Sequence, residues 1–146
     1  MSDMYSTDIL QLAADIPHIG RLSAPDATAY KASRICGSEL TLDLRISEGR
    51  IIGLGLEFEA CALGQASASV FARAALGASR QEIIDARNAL RAMLQGAGAP
   101  PRGRFAALVA LQPAASYRQR HGSILLAFEA AVTAFEMAAS SDIKKL

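Results

Sequence analysis

Two runs of alternating apolar and polar residues, SELTLDLRIS at 38–47 and RIIGLGLEFE at 50–59, meet at SEGR, 47–50. Leu40, Leu42, Leu44 and Ile46 alternate with Glu39, Thr41, Asp43 and Arg45, and Ile52, Leu54, Leu56 and Phe58 repeat the pattern. A period of two sets one side of each run against a core and the other toward solvent. Gly49 can take the positive φ that a tight turn needs. The two runs therefore predict an antiparallel hairpin. For the apolar residues to share a face, Ile46 must oppose Ile52, Leu44 oppose Leu54, Leu42 oppose Leu56 and Leu40 oppose Phe58.

The rest of the chain reads as helix around this hairpin. Residues 4–14 form a short first helix, with Ser6, Thr7 or Asp8 as its cap. PHIGRLSAPD breaks it with two prolines and a glycine. ATAYKASRI supplies an edge strand before the hairpin. Ala62–Leu76 is dense in alanine and serine and stops at Gly77. SRQE at 79–82 is a capping box that opens a helix to about Gln95. GAGAPPRG is a connector, Phe105–Leu111 a short helix before Pro113, and Ser123–Ala139 the last long helix. The tail from about residue 140 is expected to fray. The order predicts one α+β domain over residues 1–146, a three-stranded antiparallel sheet with helices packed on one face.

Composition narrows the function classes. The net charge of +1 gives no general attraction to nucleic acid or to an anionic membrane. The first ten residues, MSDMYSTDIL, lack the basic and apolar regions of a secretory signal. No apolar run approaches the roughly 20 residues of a bilayer span. The expected location is cytoplasmic, where two cysteines are free thiols or ligands rather than a structural disulfide. No phosphate loop, metallohydrolase motif or nucleic-acid module is present.

The hairpin register puts both cysteines at its open end. Continuing the ladder brings Gly37 opposite Cys61, with Cys36 one rung away. Regular strands would turn the two thiols to opposite faces, and a bulge or bend at Gly37 would relax that. Cys61 also directly precedes a helix, whose N-terminal N–H groups favour a thiolate. The plainer alternative is that each cysteine fills space as a small buried apolar residue.

At these residues the chain resembles the U-type iron–sulfur cluster assembly scaffolds, IscU, SufU and the N-terminal domain of NifU. CGSELTLDLRI matches their first cysteine element at Cys36 and Gly37, and FEACALGQASASVFA the second at Cys61. RHGSILLAFEAA matches the third, which in IscU-like members reads His-Cys-Ser-Ile-Leu. The resemblance runs from about Thr7 to Glu136, and the long segment before the third element is SufU-like. The chain departs at four places: Gly122 (or Ser123, on a one-residue slip) stands at the third cysteine, Ser38 at the family aspartate, and Ala60 and Ala62 at the glycines flanking the second cysteine.

The resemblance implies a scaffold-like protein rather than an enzyme. It implies that Cys36 and Cys61 accept sulfur from a cysteine desulfurase, or bind iron or zinc with His121 assisting. With two thiols and one imidazole the ligand set is incomplete, although two subunits would offer four cysteines to a bridging cluster. His121 is either a ligand or a solvated residue at a helix start. Arg118 and Arg120, with Arg102 and Arg104, form a basic cluster expected near the site, either a solvated rim or a docking surface for an acidic partner such as another assembly protein. The alternative function is a metal-free paralogue that keeps the fold and acts as a regulatory or binding module.

Overall fold

The computed structural model describes residues 6–144. Its elements are α1 (Thr7–Ala14), β1 (Ala27–Ser33), β2 (Ser38–Ser47), β3 (Arg50–Glu59), α2 (Ala62–Ala74), α3 (Arg80–Leu94), two 3₁₀ segments (Gly103–Ser116 and Arg118–Arg120) and α4 (His121–Lys144). The three strands form one antiparallel sheet in the order β1-β2-β3, as the alternation predicts. Ser6 caps α1 by accepting from the Ile9 N–H. The capping box at Ser79 and Glu82 is complete in both directions. Residues 4 and 5 of the expected first helix, and residues 145 and 146 of the expected tail, lie outside the described residues.

The hairpin register holds from Leu40↔Phe58 through Leu44↔Leu54, and then slips. Ile46 opposes Ile51 instead of Ile52, with a bulge after Arg45. The turn explains the slip. Glu48 and Gly49 both have positive φ, 52° and 75°, the two-residue turn whose twist suits a hairpin. That turn pairs Ser47 with Arg50, one residue out of step with the apolar alternation. The bulge absorbs the extra residue, so Ile51 is 1% exposed and Ile52 is 52% exposed.

One sheet face carries Ala27, Ala29, Leu40, Leu42, Leu44, Leu54 and Leu56 into the core. α4 lies across β1 and β2, and α2 and α3 pack against α4. Alanine lets these helices approach closely, and three phenylalanines fill the centre. Phe128 meets Phe71 and Phe105 edge-on, each with ring centroids 5.3 Å apart. By length and composition Arg118–Ser140 is long and apolar enough to cross a membrane, contrary to the reading of apolar runs, but 61% of its apolar 18-residue portion is buried inside the fold. Alanines raise its mean hydropathy, and it is a core helix.

The opposite sheet face is not wholly solvated. Asp43, expected to point to water, is fully buried. The segment after α1 crosses this face, bonding Gly20 N–H to the Leu56 carbonyl and Leu56 N–H to the His18 carbonyl. Gly55 permits the crossing, since any Cβ there would run into the Gly20 carbonyl. The expected helix at Phe105–Leu111 is instead a longer 3₁₀ run containing Pro113, and Phe105 itself has non-helical angles.

Candidate functional site

The open end of the hairpin, the start of α2 and the start of α4 converge. β2 begins at Ser38 and β3 ends at Glu59, so the ladder stops before either cysteine. Cys36 and Gly37 lie in the turn between β1 and β2, where Gly37 takes φ 68°. That turn, rather than a continued ladder, frees Cys36 from strand alternation. Cys61 is the N-cap residue of α2. Both thiols are free and half-buried.

Serines link them. Cys36 Sγ donates to Ser33 Oγ at 3.2 Å, and Cys61 Sγ donates to Ser123 Oγ at 3.6 Å. Ser123 Oγ lies 2.8 Å from Ser38 Oγ, in a buried contact between the first turn of α4 and the first residue of β2. Burial alone would push both thiols up. For Cys36, hydrogen bonds from the Ser33 and Ser38 side chains and from the backbone at Ser38 and Ser123 outweigh burial, and the thiol lies below its ordinary value. For Cys61 the same balance is struck by the Gly64 N–H, the Ser123 hydroxyl, the Leu63 N–H and the Arg120 guanidinium. Cys61 makes no regular capping hydrogen bond as a thiol. Those helix-start N–H groups act by favouring the sulfur once it is charged.

The first turn of α4 sends its side chains three ways. Ser123 turns to Cys61 and Ser38. Gly122 faces β1, where a Cβ would stand 2.5 Å from Ser33 Oγ and 3.2 Å from Ser33 Cβ. His121 turns away, its Nε2 3.1 Å from the carbonyls of Ala114 and Ala115. It lines a cavity of about 560 Å³ with Leu94, Gln95 and Arg118 that contains neither cysteine. Among the described residues no three His, Cys, Asp or Glu side chains converge. The structure thus brings Cys36 and Cys61 to one serine cluster and does not bring His121 to them.

The basic cluster divides. Arg120 reaches Cys61, and Arg118 is exposed. Arg104 is not near the site, contrary to expectation. It pairs with Glu82 at 2.8 Å and caps carbonyls of Ala74 and Leu76, at the far end of α2 from Cys61, about 20 Å along the helix. Glu39 is exposed and accepts from the Tyr30 hydroxyl. Ser67 donates to the Ile124 carbonyl, and Ser69 to that of Asp15, which are packing contacts. Sequence reasoning missed the Ser33, Ser38 and Ser123 cluster. Its only trace was that two of these serines fall at or beside positions where the resembled family has ligands.

A family model described as the NifU-like N-terminal domain matches residues 4–123. The chain belongs to that family. The crystal structure of a nitrogen-fixing NifU-like protein (N-terminal) from Brucella abortus is 40% identical, with a TM-score of 0.92 over 94% of this chain and 96% of that one. The structure of a candidate iron–sulfur cluster assembly scaffold protein for the SUF system, from Fervidobacterium islandicum AW-1, is 20% identical, with a TM-score of 0.82 over 90% of this chain and 96% of that one. At that identity the second likeness speaks for the fold alone. No curated protein matches. The NifU-like N-terminal fold here holds two thiols and three serines together at the open end of its hairpin.

Proposed function

We propose that this chain works in iron–sulfur cluster assembly as a two-thiol scaffold, with Cys61 and Cys36 accepting sulfur from a cysteine desulfurase and holding iron or zinc at the same place. The observation that carries this is the convergence of both thiols, each below its ordinary pKa, on the buried Ser38–Ser123 pair. Sulfur acceptance needs only one reactive thiolate. A tetrahedral metal needs four ligands, and among the described residues no three His, Cys, Asp or Glu side chains converge to supply them. The remaining ligands come from solvent, from the desulfurase or from a second copy, and a cluster is cargo bridged between chains. Half-buried Arg120 lies against Cys61, and exposed Arg118 stands two residues before it on the side of His121; the two charges suit the acidic surface of an assembly partner. Free thiols accord with a cytoplasmic setting.

Elemental analysis of the anaerobically purified protein, beside Cys36→Ala and Cys61→Ala, tests the metal half of this reading. Near-stoichiometric zinc or iron, lost in both variants, is the expected result. No metal in any sample removes that half and leaves sulfur acceptance. A second reading, a metal-free binding module for the assembly machinery, is favoured by one observation: Gly122, in the first turn of α4, has Ser33 against it and brings no side chain to the thiols. That reading requires that neither thiol take up sulfur.

A further inference from the structure

Ser38 and Ser123 are each 2% exposed. Stripping a buried hydroxyl of its partner is costly, and two apolar residues would fill the same space without that requirement. What the hydroxyls add is a fixed set of partners for sulfur. Ser123 Oγ is 2.8 Å from Ser38 Oγ and 3.6 Å from Cys61 Sγ. Ser38 pairs with Ser33 across β1 and β2, and Ser33 Oγ accepts from Cys36 Sγ. Ser123 fits its slot because residue 64 is glycine, where any Cβ would overlap the Ser123 hydroxyl. Left alone, a cysteine at a helix start samples several χ1 wells. A hydroxyl fixed from behind by Ser38 selects among them.

We propose that Ser123 is a positioning residue for sulfur acceptance: it holds Cys61 Sγ in the orientation for attack and, through Ser38, ties Cys61 and Cys36 into one array. This rests on the sulfur-accepting reading above. In the step itself, Cys61 gives its proton to water and its sulfur attacks the outer sulfane sulfur of a persulfide or polysulfide. A new S–S bond forms to Cys61 while the donor's S–S bond breaks. The donor leaves with that electron pair, as a thiolate or a shortened polysulfide, and no outside oxidant is consumed.

The test uses inorganic polysulfide at one fixed pH, with sulfane sulfur mapped to Cys36 and Cys61 by peptide mass spectrometry at short times. The wild type is compared with Ser123→Ala, Ser38→Ala, the double variant and Ser123→Thr, each checked for fold by circular dichroism. Ser123→Ala is expected to slow labelling of Cys61 about tenfold, the worth of one hydrogen bond. Ser38→Ala slows Cys61 as well, though it does not touch it, and the double variant is no slower than Ser123→Ala because both act through one link. Ser123→Thr keeps the hydroxyl and recovers most of the rate. A folded Ser123→Ala that labels Cys61 at the wild-type rate overturns the proposal, and additive effects of the two alanines overturn the coupling. Should Ser123→Ala fail to fold, Ser38→Ala decides: a wild-type rate at Cys61 overturns the proposal. Should the wild type take sulfur on neither thiol, the sulfur-accepting reading fails. Iodoacetamide at the same pH then still tests the positioning role, which predicts slower modification of Cys61 in Ser123→Ala and is overturned by equal rates.

Discussion

The carboxylate of Asp43, fully buried on the sheet face away from the helices, accepts from Arg21 Nε at 2.7 Å and from a second Arg21 nitrogen at 3.1 Å. The Leu22 N–H and the Thr28 hydroxyl complete its shell at 2.9 and 2.6 Å. This one side chain fastens the segment after α1 across the sheet. Burial would raise its pKa, but the Arg21, Thr28 and Leu22 hydrogen bonds and the Arg21 charge hold it below the usual carboxylate range. A depressed folded-state pKa contributes stability that is present above the unfolded value of about 3.9 and is lost as pH falls through the folded value. Asp43→Asn is expected to be less stable at neutral pH and to lack this acid-side loss. Asp43→Ala is expected to cost about 3 kcal/mol, at the low end for a broken buried pair because Arg21 is half exposed. Denaturant titrations between pH 2 and 7 check both, in the range where ~3.9 separates the two limbs.

Gly122 and Cys36 are coupled through Ser33. Gly122→Ala puts a methyl group where Ser33 Oγ now stands, and Ser33 can move only by leaving Cys36. Any helix-propensity gain is small at the second residue of α4, so the change is read at the thiol rather than in stability. The Cys36 thiol, deprived of Ser33, is expected to rise in pKa. Alkylation of Cys36 as a function of pH should shift toward higher pH in Gly122→Ala.

Arg120 and Arg118 separate a local role from a general basic field. Arg120 favours the charged form of Cys61, so its removal raises that thiol's pKa and lowers the thiolate fraction at neutral pH. Arg120→Ala is expected to slow iodoacetamide modification of Cys61 at pH 7 about threefold, and Arg118→Ala to leave it unchanged. Equal effects of the two would mean a diffuse field rather than a contact.

The alanine-rich core depends on its few large side chains. Phe128 is fully buried and meets both Phe71 and Phe105 edge-on. It packs between two other aromatic rings, so its loss opens the centre of the phenylalanine cluster. Phe128→Ala is expected to lose about 3–5 kcal/mol, read as a fall in the denaturant midpoint.

The hairpin, the capping box and the helix order were legible because each rests on a local pattern. Leu40, Leu42 and Leu44 find the predicted partners, while Ile46 does not, because alternation says nothing of which turn closes the strands. Asp43 looked like any solvent-facing polar residue, since no strand pattern reveals a distant loop crossing that face. Arg104 looked like part of a patch, and only the fold shows it capping α2. That Cys36 and Cys61 lie at one end of the hairpin was legible from the register, although the ladder stops before both. The serines between them were not, since Ser38 and Ser123 touch across 85 residues of sequence. His121 shows the limit of position alone: beside Gly122 in sequence, it turns to the Ala114 and Ala115 carbonyls.

The most direct measurement is the sulfane sulfur carried by each cysteine after incubation with a cysteine desulfurase and free cysteine. Peptide mass spectrometry would read it in the wild type, Cys36→Ala and Cys61→Ala. The account predicts persulfide on the wild type, centred on Cys61, and its loss in Cys61→Ala. A wild-type protein that carries no sulfane sulfur on either thiol, beside a desulfurase shown to be active, would contradict it.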